Sequence, residues 1–290
     1  MATPKIEIKF NSAGKYEWLK QVCEIHSAYA LPVPNSDIVL DFSSDITSSQ
    51  LEPLHLVTLA CLIEYLFSRG HKVYMSRRHK ELHNYIFNDL NFSAYWSGGK
   101  NHVNAKVSGD IFNLWRIVET EKDLYAKNVE IYLNNTYFAD KDLSAINVSL
   151  VEAFYNVFDH AKAKNNAFSL LKYDKEKNKL LVAIADFGIG IARSVRNFKR
   201  DIESDIDAIC WAIQDHSTVK STEHNKGLGM GNILASASSA RIFSGNGLVV
   251  INAGQHKTYE INFKFPGTII YLDVDLSAFE DMEILESFNW

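Results

Sequence analysis

The apolar pattern of this 290-residue chain changes character once, near residue 100, and that change limits the fold more than any single residue does. Before it, short alternating or fully apolar runs take turns with longer stretches of helical period. Lys5 to Phe10 alternates, placing Ile6, Ile8 and Phe10 on one face of an expected strand. A helical stretch from Lys15 to Ala30 ends at Pro32 and Pro34. Asp37 to Phe42 (DIVLDF) suits a buried strand, and Gln50 to Ser68 a helix closed by Gly70. His71 to Met75 and Arg77 to Leu90 read as a further strand and helix. This β-α-β-α-β-α rhythm predicts an α/β domain, a sheet covered by helices. Ser97 to Gly99 and Ser108 to Gly109 interrupt it, and the length suits two domains, expected at 1–100 and 101–290.

The second part predicts an α+β layer with one sheet face covered. Ile111 to Tyr125 reads as helix and Asn128 to Leu133 (NVEIYL) as strand. Lys141 to Ala163 reads as a long helix, with Asp140 and Asp142 favourably placed near its N-terminus. Ala167 to Tyr173 and Lys179 to Asp186 form an expected hairpin, the charge run from Lys172 to Lys179 at its turn. A helix from Asn232 to Ala240 and strands at Leu248 to Ala253, Thr258 to Phe263 and Thr268 to Val274 complete the chain.

Composition excludes some classes of function. A hydrophobic content of 47% with 22% charged residues rules out general disorder. A net charge of −5 gives no reason to expect a nucleic acid or an anionic membrane as partner. Cys23, Cys61 and Cys210 lack metal-like spacing and are expected to be reduced, mostly buried thiols. No signal-peptide pattern and no apolar run of the ~20 residues a membrane span requires are present, so a cytoplasmic protein is expected. His79 and His83, at i and i+4, could ligate zinc, but without a third ligand they read as surface histidines.

Three motifs carry chemistry. Glu152, Asn156 and His160 fall at i, i+4 and i+8, and each four-residue step turns roughly 400°, so they share one helix face. Asn156 offers a carbonyl oxygen to Mg²⁺, Glu152 can take a proton from a hydroxyl or water, and His160 can donate to a phosphate oxygen. Alone, the stripe reads better as a solvated helix face than as a site. Asp186-Phe187-Gly188-Ile189-Gly190-Ile191 follows an apolar strand directly. An acid at a strand end can accept from an exocyclic amine, and Gly188 and Gly190 let the backbone approach a planar ligand. A protein-kinase reading of DFG fails for want of a Gly-rich loop, a strand lysine and an HRD-type loop. Lys226-Gly227-Leu228-Gly229-Met230-Gly231-Asn232 precedes an expected helix, whose exposed amides suit phosphate, although its spacing fits neither a P-loop nor a dinucleotide fingerprint.

In their order and spacing these motifs resemble the N, G1 and G2 boxes of the GHKL superfamily, which includes histidine kinases, type II topoisomerases, heat-shock chaperones and anti-sigma kinases. Gly267-Thr268 is similar to the short final box, and the resemblance covers roughly residues 110–275. It implies a Bergerat fold, a mixed sheet with helices on one face, binding ATP and Mg²⁺. Asp186, assisted by Thr268, would recognise the adenine amine and Asn156 would hold Mg²⁺. Glu152 would be the base, and residues 227–231 would wrap the phosphates. Residues 192–226 would be the lid, with Lys226, and less directly Lys220 and His224, near phosphate. The E-x-x-x-N-x-x-x-H-A form ending in His160-Ala161 is most similar to the anti-sigma serine-kinase branch. Residues 35–76 resemble a STAS domain, with Ser48 and Ser49 where that family carries a phosphorylatable serine, although the usual Asp-Ser-Ser-Gly segment is missing. Three functions follow as expectations: a serine/threonine kinase acting on a partner or its own STAS-like segment, an ATPase switch closing its lid on a partner complex, and a nucleotide-binding module without catalysis. A protein partner is implied throughout, and homodimers are frequent in the superfamily.

Overall fold

The structure is a computed structural model and describes residues 4–31, 34–90, 92, 107–108, 110–116, 122–139, 141–156, 163, 166–214, 233–234 and 236–281. Two sheets organise these residues. In the first, β1 (Lys5–Phe10), β2 (Asp37–Phe42) and β3 (Lys72–Met75) run parallel in that order. Rows Ile6–Ile38–Val73, Ile8–Leu40–Met75 and Phe10–Phe42 share the face expected from alternation, buried toward Phe10 while Ile6 at the other end is exposed. The crossovers are α1 (Lys15–Ala28) and α2 (Pro53–Ser68).

Helix α2 explains how the molecule is assembled. Proline in its first turn needs no amide partner, and Glu52 and His55 cap it reciprocally, with Glu52 N–H donating to His55 Nδ1 at 2.9 Å. From Pro53 to Glu64 every residue is buried. A helix apolar all round must be covered on every side. One side meets the parallel sheet and the other lies on the second sheet, so residues from both halves share one core.

The second sheet has six strands in the order β4 (Val107–Ser108), β5 (Ile111–Arg116), β6 (Ala167–Asp174), β7 (Lys179–Asp186), β9 (Gln255–Asp275) and β8 (Ser239–Asn252). Every pairing within it is antiparallel. The expected mixed sheet is thus corrected, and so is the single covered face. Ala183, Ala185, Phe168, Leu170, Ile269 and Tyr271 join the core under α1 and α2. Leu180, Val182, Ile184, Leu171, Ile270 and Leu272 pack with α4 (Lys122–Thr136) and α5 (Ser144–Asn156) on the other side. Runs such as Leu180–Ala185 are apolar at both parities because both faces are buried. At about 25 cal/mol per Å² of apolar surface, each fully buried Leu or Ile on either face contributes roughly 1.5–3 kcal/mol.

Several expected elements change type. Residues 111–116 are strand because they pair with β6; a bulge between Phe112 and Trp115 lets Phe112 and Leu114 bury in the cores on opposite faces of the sheet. Residues 122–136 are helix because Tyr125, Ala126, Val129 and Leu133 are buried at helical spacing. Helix α5 starts at Ser144, whose amide donates to Asp142 Oδ1 at 2.9 Å; the expected residues 157–162 lie outside the described ones. Residues 77–90 hold only α3 (Lys80–Asn84) and a π-turn at Tyr85–Asp89. Of the helix expected at 232–240, only Ile233 and Leu234 are helical among the described residues, and Ser239 opens β8. The last three expected strands are two. β9 passes through Pro266 because pairing with β7 begins only at Thr268 and the β8 register shifts by bulges there, so no ladder needs the missing amide. No helix among the described residues is long and apolar enough to cross a membrane.

Candidate functional site

Strand β7 delivers Asp186 to the sheet's end on the parity of Leu180, Val182 and Ile184, the face that carries α4 and α5. Cross-strand register sets its neighbours. Asp186 pairs with Thr268 on β9, and Thr268 pairs with Ser244 on β8. Asp186, Thr268 and Ser244 form a lateral polar row, 2%, 7% and 0% exposed, at the end of an otherwise apolar face.

Two glycines make the row possible. A Cβ on Gly267 would lie 2.0 Å from the Asp186 carbonyl oxygen, so the two strands approach there as only glycine permits. Gly190 has φ +75°, and its missing Cβ leaves room for Ser244 Oγ and Gly267 O. Ser244 Oγ fills that room by donating to Gly267 O at 3.1 Å.

Gly188 N–H donates to Asp186 Oδ1 at 2.8 Å. Burial pushes the Asp186 pKa up to about 7, while hydrogen bonds from the Gly188 and Thr268 backbones pull it down. The carboxylate is therefore buried and held by backbone amides, and it is ready to accept a further donor.

Helix α5 lies on the same face. Leu150, Ala153 and Phe154 anchor it in the core below the sheet, and Ser149 Oγ meets Ser236 Oγ at 2.8 Å. Glu152 is half-buried on this helix and Asn156 is its last residue. Residues 157–166 then return the chain to Ala167, the β6 partner of Asp186. The Asn156 side chain, His160, Lys220, His224, Lys226, Gly227, Leu228, Gly229, Met230 and Gly231 lie outside the described residues.

The first part of the expected lid is a fixed part of the fold. Residues 192–214 contain most of α6 (Gly190–Phe198) and all of α7 (Asp205–Ala212). Asp205 Oδ2 accepts from Asn246 N–H of β8 at 2.8 Å, and its other oxygen pairs with Arg196. Residues 215–226 lie outside the described ones.

No family model matches the chain, and no curated protein is significantly similar to it.

Elsewhere, His79 Nδ1 accepts from Leu82 N–H and caps α3, while His83 stacks on Phe87 with ring centroids 4.7 Å apart. Both are engaged structurally, and the described residues hold no cluster of His, Cys, Asp and Glu suited to a metal. The three cysteines are free thiols, Cys23 and Cys61 buried. Sequence reasoning missed Ser244 and the Ser149–Ser236 contact. Local pattern gives no sign of either, because each depends on register or packing between distant segments.

Proposed function

We propose that the chain is a Mg-ATP-binding regulatory protein of the GHKL type, with its nucleotide on the α4–α5 face of the antiparallel sheet. One observation carries this reading: a buried carboxylate, Asp186, stands at a strand end between a strand-pairing threonine and a glycine that lacks the space for a side chain. In this reading the ionised Asp186 accepts the adenine amine and Thr268 lines the ring beside it. Asn156 offers its amide oxygen to Mg²⁺, a hard ion suited to oxygen ligands. Glu152, half-buried on the same helix, accepts a proton from a water or a partner's hydroxyl. His160, Lys226 and the amides of residues 227–231 hold phosphate oxygens. Bound Mg-ATP supplies a transferable phosphoryl group.

Residues 101–290 then form a Bergerat-type unit whose sheet is antiparallel. Residues 1–100 form an α/β module compatible with a STAS-like role. Ser48 Oγ donates to Glu81 Oε1 at 2.7 Å, whereas Ser49 is exposed, so Ser49 is the better phosphoacceptor on this chain. Phosphate on Ser48 would face a carboxylate. The leading role is a serine/threonine kinase for a protein partner or for this segment; an ATPase switch uses the same residues.

Calorimetric titration with Mg-ATP, with phosphate release and protein labelling followed in parallel, tests the reading. Wild type should bind. Asp186→Asn should lose roughly 1.5–3 kcal/mol of binding, the contribution of a hydrogen bond to a charged group. Glu152→Ala should bind normally and turn over nothing. Normal binding by Asp186→Asn would remove the adenine assignment.

A further inference from the structure

Asp186 and Phe187 are adjacent in the chain but face opposite layers. Asp186 shares the parity of Val182 and Ile184, and Phe187 packs against the core formed with α1 and α2. The Phe187 ring stands edge-on to His26 of α1 at 5.2 Å, to Tyr65 of α2 at 6.2 Å and to Phe265 of β9 at 5.7 Å. The His26 and Tyr65 rings pack with centroids 4.0 Å apart and form two walls of this aromatic box; Tyr65 Oη also donates to His26 O at 3.2 Å.

The backbone of the same segment is tied to α2 as well. Cys61 Sγ donates to Ala185 O at 3.5 Å, Asn166 Nδ2 donates to Cys61 O at 3.1 Å, and Phe187 N–H donates to Asn166 O at 3.0 Å. These bonds run from α2 through Asn166 to both sides of Asp186. The next amide along, Gly188 N–H, is the one bonded to the Asp186 carboxylate. Rotating or withdrawing Phe187 therefore moves the donor that orients that carboxylate.

We propose that the N-terminal layer positions Asp186 from behind the sheet, with Phe187 as the lever and His26, Tyr65 and Cys61 as positioning residues. This rests on Asp186 being the ligand-binding carboxylate, and it makes nucleotide affinity a property of both layers. The box is chemically suited to the task. Burial, with Arg69 adding to it, pushes His26 down to about 4, so the ring carries no charge near pH 7. Cys61, the α2 thiol that bonds to the Ala185 carbonyl behind Asp186, is raised well above its ordinary value by burial, with Asp186 and Glu64 adding to the effect. It therefore acts as a neutral donor.

The full chain should be tested as wild type, Phe187→Leu, Tyr65→Leu, Tyr65→Phe and Phe10→Leu. Tyr65→Phe keeps the ring of the box, and Phe10 packs on Trp18 and Phe42, away from Phe187. The Asp186 carboxyl titration is followed by carbon NMR without ligand, and Mg-ATP affinity by calorimetry. Phe187→Leu and Tyr65→Leu should shift the titration and weaken binding roughly tenfold. Tyr65→Phe and Phe10→Leu should leave both near wild type. An unchanged titration in folded Phe187→Leu and Tyr65→Leu overturns the proposal, as does an equal change in Phe10→Leu. If wild type binds no ATP, the functional reading fails, yet the ligand-free titration still decides whether the back layer positions the carboxylate.

Discussion

Asp186 concentrates the residue-scale chemistry, and its burial has a consequence for stability. Its folded pKa of about 7 lies above the ordinary 3.8, so the folded chain holds a proton that the unfolded chain releases. Stability linked to this group is fully present below about pH 4, is lost as pH rises toward 7, and is absent above it. Asp186→Asn removes that dependence. In denaturant titrations the variant should match wild type near pH 3.5 and exceed it by on the order of a few kcal/mol near pH 8. A constant difference across that range would show that Asp186 does not titrate as described. The residue was legible from sequence because an acid followed by glycines after an apolar strand has few local explanations. Ser244 was not, since nothing near it in the chain reveals that it sits two strands from Asp186 in the same row.

At the scale of elements, legibility followed how local the deciding contact is. β1, β2 and β7 have the expected bounds because each is a short alternating or apolar run too brief for a helix and bounded by polar residues. Residues 111–116 and 128–133 were inverted because short amphipathic segments fit both periods, and only their packing on β6 and α5 chooses between them. Strands β8 and β9 run longer than expected because bulges at Ser244–Gly245 and Gly245–Gly247 absorb irregularities that read as strand ends. The start of α2 shows how elements of the two layers are joined. Glu52, at its cap, pairs with Lys15 of α1 at 2.8 Å and accepts from Tyr271 Oη of β9. Tyr271 is 1% exposed, so Tyr271→Phe leaves Glu52 short of a buried partner. The variant should lose about 1–3 kcal/mol in chemical denaturation. Loss of less than a few tenths would mean the two layers do not depend on this contact.

For the whole molecule, the shared core means that the two sheets are expected to unfold together. Removing the first layer would expose Phe168, Leu170, Ala183, Ala185, Ile269 and Tyr271 on the back of the second. Calorimetric unfolding should give one cooperative transition with matching calorimetric and van't Hoff enthalpies, and two resolved transitions would contradict the common core. The close seating of α2 on β7 has a consequence for how such a chain can diverge. Cys61, Ala183 and Ala185 are all small, and the thiol reaches the Ala185 carbonyl at 3.5 Å, so helix and strand meet with almost no side chain between them. Over evolutionary time, added bulk at position 61 has to be met by lost bulk at 183 or 185. Descendants of this sequence should therefore drift as volume-matched pairs between positions 124 residues apart in the chain, tying the history of the first layer to that of the site in the second.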